Sequence, residues 1–245
     1  MRAYHRLFID INSEPWGIEA TSALVDALLA NAWSGGTPSG GRGDPSRMPR
    51  PLELHLRGKT PASLLAGGAG VPPYLLDIVA SPPLVEVFGR FRLPAHVTID
   101  CSATAWPPLR SRKRQPTGPH QFRWFWWTES FEKRIDPARS RFAVFHSDHT
   151  WVEASYESLD ALERVEARRF LPFRSGEVRV EAVYPLQIAW ADPVIEELDL
   201  IPYETGGPYL SERMARAVEE ARLPGIVVLP PRSYTGSTWG PGVAW

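Results

Sequence analysis

Apolar and polar positions along the chain follow two periods, and the clearest helical one closes the sequence. Leu210, Met214, Ala217, Val218 and Ala221 recur at helical spacing while Arg213, Arg216, Glu219 and Glu220 fall opposite. That spacing predicts one amphipathic helix over Leu210 to Arg222, with a packed face and a solvated one. Ser211 caps its start beside Glu212, and Arg222 suits the negative end of the helix dipole. Pro224-Gly225 then stops the helix before the apolar run Ile226 to Leu229, which reads as a buried strand.

The same reading predicts helices over Glu19 to Ala32 (Ala23, Leu24, Ala27 and Leu28 on one face), Leu84 to Phe91, and Ser158 to Phe170 with Leu159, Leu162 and Val165 inward. Alternating or apolar runs predict strands at Tyr4 to Ile11, Leu52 to Leu56, His96 to Cys101, Gln121 to Thr128, Arg141 to His146, Val178 to Val183 and Leu186 to Trp190. The runs at Gln121 to Thr128 and Arg141 to His146 are apolar enough to be neighbouring central strands. Gly35 to Pro51, Leu64 to Pro73 and Ala105 to Pro119 are dense in turn residues and read as loops. Pro83 to Val97 and Pro208 to Val227 echo each other as helix, Leu-Pro stop and strand; two ordinary turns with the same stop chemistry are favoured over a diverged duplication as the explanation.

With 25 Pro and 19 Gly punctuating 245 residues, the elements are short. The expected class is α+β, a mixed or antiparallel sheet with a few short packed helices. Hydrophobic residues make up 43% and include 10 Trp, enough for a core without metals or disulfides. A single domain over 1–245 is expected, with 1–75 as an N-terminal subdomain against a core of 76–245. A net charge of −1 argues against bulk attraction to nucleic acid or anionic lipid. Charges interrupt the N-terminus too soon for a signal peptide, and no apolar run approaches the roughly 18 residues of a membrane span, so a cytoplasmic protein is expected.

The candidate chemistry is sparse. His146-Ser-Asp-His149 gathers two imidazoles around Asp148, the basis of an alternative reading as a metal-assisted or acid–base hydrolase or transferase, yet Ser-Asp is also turn chemistry. Gly67-Gly-Ala-Gly70 lacks the spacing of a phosphate or dinucleotide loop, and Arg42-Gly-Asp44 lies in a loop of matching composition. The lone Cys101 sits in a strand pattern and reads as a buried thiol. Arg110-Ser-Arg-Lys-Arg114, together with Trp124 or Trp127 of Phe122-Arg-Trp-Phe-Trp-Trp127, supports a second alternative, a nucleic-acid-binding module that stacks bases. In a strand Phe122, Trp124 and Trp126 share one face and Arg123, Phe125 and Trp127 the other, so protein must cover at least one, and an exposed second face would be a docking surface. No catalytic residues, metal ligands or cofactor are assigned, and no enzymatic activity is expected.

Three segments carry a resemblance. Ser211-Glu-Arg213 followed by an amphipathic helix, Leu223-Pro-Gly225 and an apolar strand resembles the C-terminal signature of a family of bacterial immunity proteins that neutralise polymorphic toxins. Arg134-Ile-Asp-Pro-Ala-Arg-Ser140 is similar to that family's central Ile-Asp-x-x-x-Ser segment, which follows an aromatic strand. Ser81-Pro-Pro-Leu-Val-Glu86 resembles its short helix before a strand. The N-terminal third and Pro107 to Pro119 fall outside the pattern, and the cysteine pairs of some relatives are absent. The resemblance implies stoichiometric binding to a cognate toxin domain, while the lack of a spanning apolar run and the near-neutral charge argue against a membrane and against nucleic acid as partner.

Charge distribution points to where such a partner would dock. From Glu181 to Glu212 there are seven acidic residues and no Lys or Arg, a pattern also found on ordinary solvated surfaces. Trp190, Glu196, Glu197, Asp199, Tyr203 and Glu204 are therefore the expected toxin-binding residues, with Leu198, Leu200 and Ile201 as further apolar anchors.

Overall fold

The computed structural model describes residues 4–9, 17–19, 45–48, 50, 52–57, 64–67, 78–106, 115–129, 131–168, 178–202 and 208–230. The fold is α+β, as the punctuated pattern predicts: short helices among mixed and antiparallel sheets. The chain divides into two compact units, one of 1–7, 131–215 and 228–245, the other of 8–130 and 216–227.

The second unit is built on a closed barrel. Its strands are β2 (Gly17–Glu19), β3 (Leu52–Arg57), β4 (Leu64–Gly67), β5 (Ile78–Ala80), β6 (His96–Trp106) and β7 (Thr117–Trp127), ordered β2-β3-β6-β7-β5-β4. Leu52, Leu54 and Leu56 of β3 are buried while Glu53 is exposed, the alternation expected of a half-buried strand. On β6 the inward positions are Ile99, Cys101, Ala103 and Ala105, mostly small, and on β7 they are Phe122, Trp124 and Trp126. Ile99 lies directly opposite Trp124 and Val97 opposite Trp126. Burying Trp124 removes about 200 Å² of apolar surface, worth ~5 kcal/mol as an upper figure. Its indole N–H finds no acceptor among the described residues, which costs on the order of 1–3 kcal/mol. Apolar burial therefore wins.

Helix α1 (Pro82–Phe88) starts with prolines in its first turn, where their missing N–H groups are not needed, and buries Leu84, Val87 and Phe88. Phe88 meets Phe125 edge-on at 5.5 Å between ring centroids. The outer face of β7 is thus covered as well: Phe125 and Trp127 are buried, with His96 5.3 and 5.5 Å from their rings.

The first unit carries a three-stranded antiparallel sheet, β10-β8-β9, from β8 (Arg141–His146), β9 (Trp151–Ala154) and β10 (Val180–Gln187). Helix α2 (Leu159–Arg168) is capped by the Ser158 hydroxyl, which accepts from Ala161 N at 3.2 Å. Its Leu162 is buried and Leu159 and Val165 pack on the same core, the expected inward set. A second sheet takes the order β11-β12-β1-β13, from β11 (Leu200–Ile201), β12 (Tyr209–Leu210), β1 (His5–Ile9) and β13 (Ile226–Leu229). Leu210 lies opposite both His5 and Leu200.

Several expectations are corrected. Leu64 to Pro73 is not all link, because Leu64–Gly67 forms β4 and pairs with β5 and β2, supplying the contact that closes the barrel. The loop expected from Ala105 to Pro119 is shortened at both ends by the β6–β7 pairing, which continues to Ala105 opposite Thr117. Gly118 makes that extension feasible: its φ is +122°, and a Cβ there would meet the Ala103 carbonyl oxygen at 2.8 Å. β7 and β8 are not neighbours, since β7 belongs to the barrel and β8 pairs with β9 and β10. The two strands expected over 178–190 are one, β10, running through Pro185, which an edge strand tolerates.

The final helix, α3 (Glu212–Glu220), begins two residues later than its apolar spacing implies, because Tyr209 and Leu210 are recruited as β12. The helix at 84–91 likewise starts earlier and ends earlier, as α1. Arg222, at φ +47°, and Gly225, at +76°, turn the chain after α3. β13 is mostly half-buried, with only Leu229 inside, not the buried strand expected. Glu19 ends β2, and the remainder of the helix expected to Ala32 lies outside the described residues, as does most of Gly35 to Pro51.

Leu210, Met214 and Val218 are all buried. Met214→Asp places a carboxylate where no partner is available and should lower stability by about 4 kcal/mol. A thermal or urea melt checks this, and a soluble variant with an unchanged midpoint refutes the assignment.

Candidate functional site

The segments singled out by sequence meet in the first unit, at the stretch from Ala189 to Asp199. Ile135 is buried and forms an isolated antiparallel bridge with Trp190. Asp136 N donates to Ala189 O at 2.8 Å, and Ala191 N donates to Arg134 O at 2.9 Å. The buried Ser140 hydroxyl donates to Asp136 O at 2.7 Å and accepts from Ala189 N at 2.9 Å. Arg139 donates through Nε to Asp136 Oδ2 at 2.6 Å and through Nη2 to Trp190 O at 3.0 Å. The Ile-Asp-x-x-x-Ser segment is a clamp that fixes residues 189–191 by backbone and side chain together. Trp190 itself is interior, its Nε1 donating to Tyr4 Oη at 3.0 Å and its ring meeting Phe131 edge-on.

The other end is held by Ser211-Glu212-Arg213. Asp199 is fully buried and its carboxylate accepts from the Ser211 hydroxyl at 2.6 Å. Arg213 binds the same carboxylate as a fork, Nε to Oδ1 at 2.6 Å and Nη2 to Oδ2. Ser211 N donates to Asp199 O at 2.7 Å, and the Ser211 hydroxyl also receives Met214 N at 3.3 Å as the cap of α3. One side chain therefore caps a helix and satisfies a buried charge.

The expected toxin-binding residues separate accordingly. Trp190 and Asp199 are interior, and Leu200 and Ile201 are buried in β11. These four are committed to packing and cannot serve as surface anchors. Tyr203 and Glu204 lie outside the described residues. Asp192 and Glu197 are exposed and Glu196 half-exposed, on the 3-10 turn Pro193–Glu197. Asp192 caps that turn by accepting from Val194 N at 3.0 Å, and Val194 is 58% exposed. The run is also less isolated in charge than its sequence implies, because Arg213 pairs with Asp199 and Arg139 reaches the Trp190 carbonyl from other segments. The Asp136/Arg139 spacing could have revealed one of these arginines; the Asp199–Arg213 pair spans 14 positions and has no local signal.

The other candidates resolve into structure. Asp148 accepts from Thr150 N at 3.0 Å and Thr150 Oγ1 at 2.6 Å, which holds its carboxyl below the usual range, and His149 adopts φ +65°. The His146-to-His149 segment is a tight turn between β8 and β9, and no group of three or more His, Cys, Asp or Glu able to hold a metal occurs among the described residues. Both faces of the aromatic strand are covered around Trp124 and Trp127, so neither ring offers a stacking platform, and the second face expected as a docking surface is closed. Burial pushes the Cys101 thiol up to about 12, in keeping with a packing role. Arg110–Arg114, Arg42-Gly-Asp44 and 68–70 lie outside the described residues. No helix among the described residues is long and apolar enough to cross a membrane.

Compared with known proteins, the chain matches no family model and no curated protein.

Two predictions follow from the clamps. Asp199→Asn keeps the shape but removes the charge-assisted bonds and should cost about 2 kcal/mol. Arg213→Ala should be worse, because it takes the charged fork away from a buried carboxylate. Urea melts of both variants check the order, and the reverse order refutes the clamp. Second, the hydrogen bond from the Arg139 side chain holds the Asp136 carboxyl below its ordinary value, outweighing desolvation, and the Arg139 backbone N–H adds to it. A lowered folded value means the stabilisation is complete above the ordinary carboxylate range and lost as pH falls through the lowered value. Carboxyl titration by NMR should show a depressed Asp136 midpoint that returns toward normal in Arg139→Ala.

Proposed function

We propose that the protein is an immunity protein that binds a cognate bacterial toxin domain stoichiometrically and neutralises it without catalysis. The observation that carries the reading is the convergence of the two resemblance segments. Ile135 to Ser140 holds one end of residues 189–199 and Ser211 to Arg213 holds the other, although the two segments are some 70 positions apart in sequence. Motifs that fix a surface segment from both sides suit a binder, whose affinity benefits from a contact region ordered before its partner arrives. Asp192, Glu196 and Glu197 lie on the segment so held, and a basic toxin would meet them favourably.

Expression of a toxin C-terminal domain encoded immediately upstream of this gene should arrest growth, and co-expression of this protein should restore it. The two products should also co-purify at equal stoichiometry. Arrest that persists despite soluble expression, with no complex, refutes the reading.

A further inference from the structure

Residues 83–90, on α1 and just past its end, and residues 217–223, at the end of α3 and just past it, both belong to the second unit. Between them lies an open cleft of about 330 Å³. Its apolar lining includes Val87, which is buried, and Ala217 and Ala221, which are half-buried. Larger side chains at 217 and 221 would take up this space, so the two alanines leave it open. Three charged groups share the lining: Glu86 and Arg90 on one wall and Glu220 on the other. All three are exposed, and none makes a side-chain hydrogen bond or ion pair among the described residues. Their full bonding capacity therefore faces solvent and any solute in the cleft.

Size and chemistry narrow that solute. Ligand cavities run from about 300 to 1,000 Å³, so this one takes a small molecule. Carboxylates on opposite walls match an ammonium, the guanidinium matches a carboxylate, and the apolar lining matches an aliphatic side chain. A purely cationic ligand leaves Arg90 unmatched, and a purely anionic one leaves both glutamates unmatched. We infer that the cleft binds a free α-amino acid with an aliphatic side chain, its ammonium at Glu86 and Glu220 and its carboxylate at Arg90. None of these residues takes part in the toxin-binding proposal, and binding here stands or falls apart from it.

Methyl NMR of the full chain, titrated at millimolar concentration with L-leucine, checks this. L-leucinamide and N-acetyl-L-leucine are the companion probes, each lacking one of the two charges. Leucine should shift the methyl signals of Val87, Ala217 and Ala221. Leucinamide should bind about threefold and acetyl-leucine about tenfold more weakly, since exposed charge pairs are individually weak. Arg90→Gln should make leucine and leucinamide bind equally. Ala217→Leu and Ala221→Leu, each with its fold verified by a melting curve, fill the cleft and should abolish the shifts at Val87. Absence of leucine-induced shifts in the unaltered chain overturns the site. Leucinamide or acetyl-leucine binding as tightly as leucine overturns the ligand class, and so does an unchanged preference in Arg90→Gln. Binding retained by either folded cleft-filling variant overturns the placement.

Discussion

Taking the Asp199 carboxylate out of water costs several kcal/mol, and only a nearly complete set of partners offsets that. Ser211 and the Arg213 fork provide them, and in doing so they fix where α3 starts and how β11 meets β12. Ser211 serves both the helix cap and the buried charge, and its backbone N–H ties the end of β12 to Asp199 beside β11. A shift of α3 by one position would unsatisfy all three at once, and that coupling gives this part of the first unit its register.

The barrel of the second unit depends on a different constraint, one of volume. Two large indoles and Phe122 point inward from β7, and farther along β6 the same interior receives the small side chains of Cys101, Ala103 and Ala105. Side chains in a small barrel must fill the interior without crowding, so large residues require small ones elsewhere in the same interior. With Phe125 and Trp127 sealed under α1 and His96, the aromatic strand becomes a two-sided structural wall.

Function, on the reading proposed, is left to what these interiors do not consume. Of the acidic run, Asp199 and the anchors beside it are spent on folding, and Asp192, Glu196 and Glu197 lie on a short turn whose ends are clamped. Exposed groups on a segment ordered from both ends can be selective without any catalytic apparatus, because complementarity needs fixed positions more than reactive ones.

The α+β class, the inward faces of α2 and α3, the alternation of β3, the inert Cys101 and the Ser211 cap were all legible in sequence. Each depends on local periodicity, local capping or the burial preference of one residue type, and local rules need no partner. The roles of Trp190 and Asp199 were misread for the opposite reason. An acidic residue with no basic neighbour in sequence looks solvent-facing, and its true partner, Arg213, is brought to it only by the return of the chain through β12 into α3. Likewise Leu64–Gly67 has too little side-chain signal to read as a strand, and only its neighbours β2 and β5 make it one. The sequence by itself determined which residues are able to be buried and where helices stop; the tertiary structure decided which strands are neighbours and which charges are inside, because those depend on contacts between segments whose spacing along the chain carries no record of their meeting.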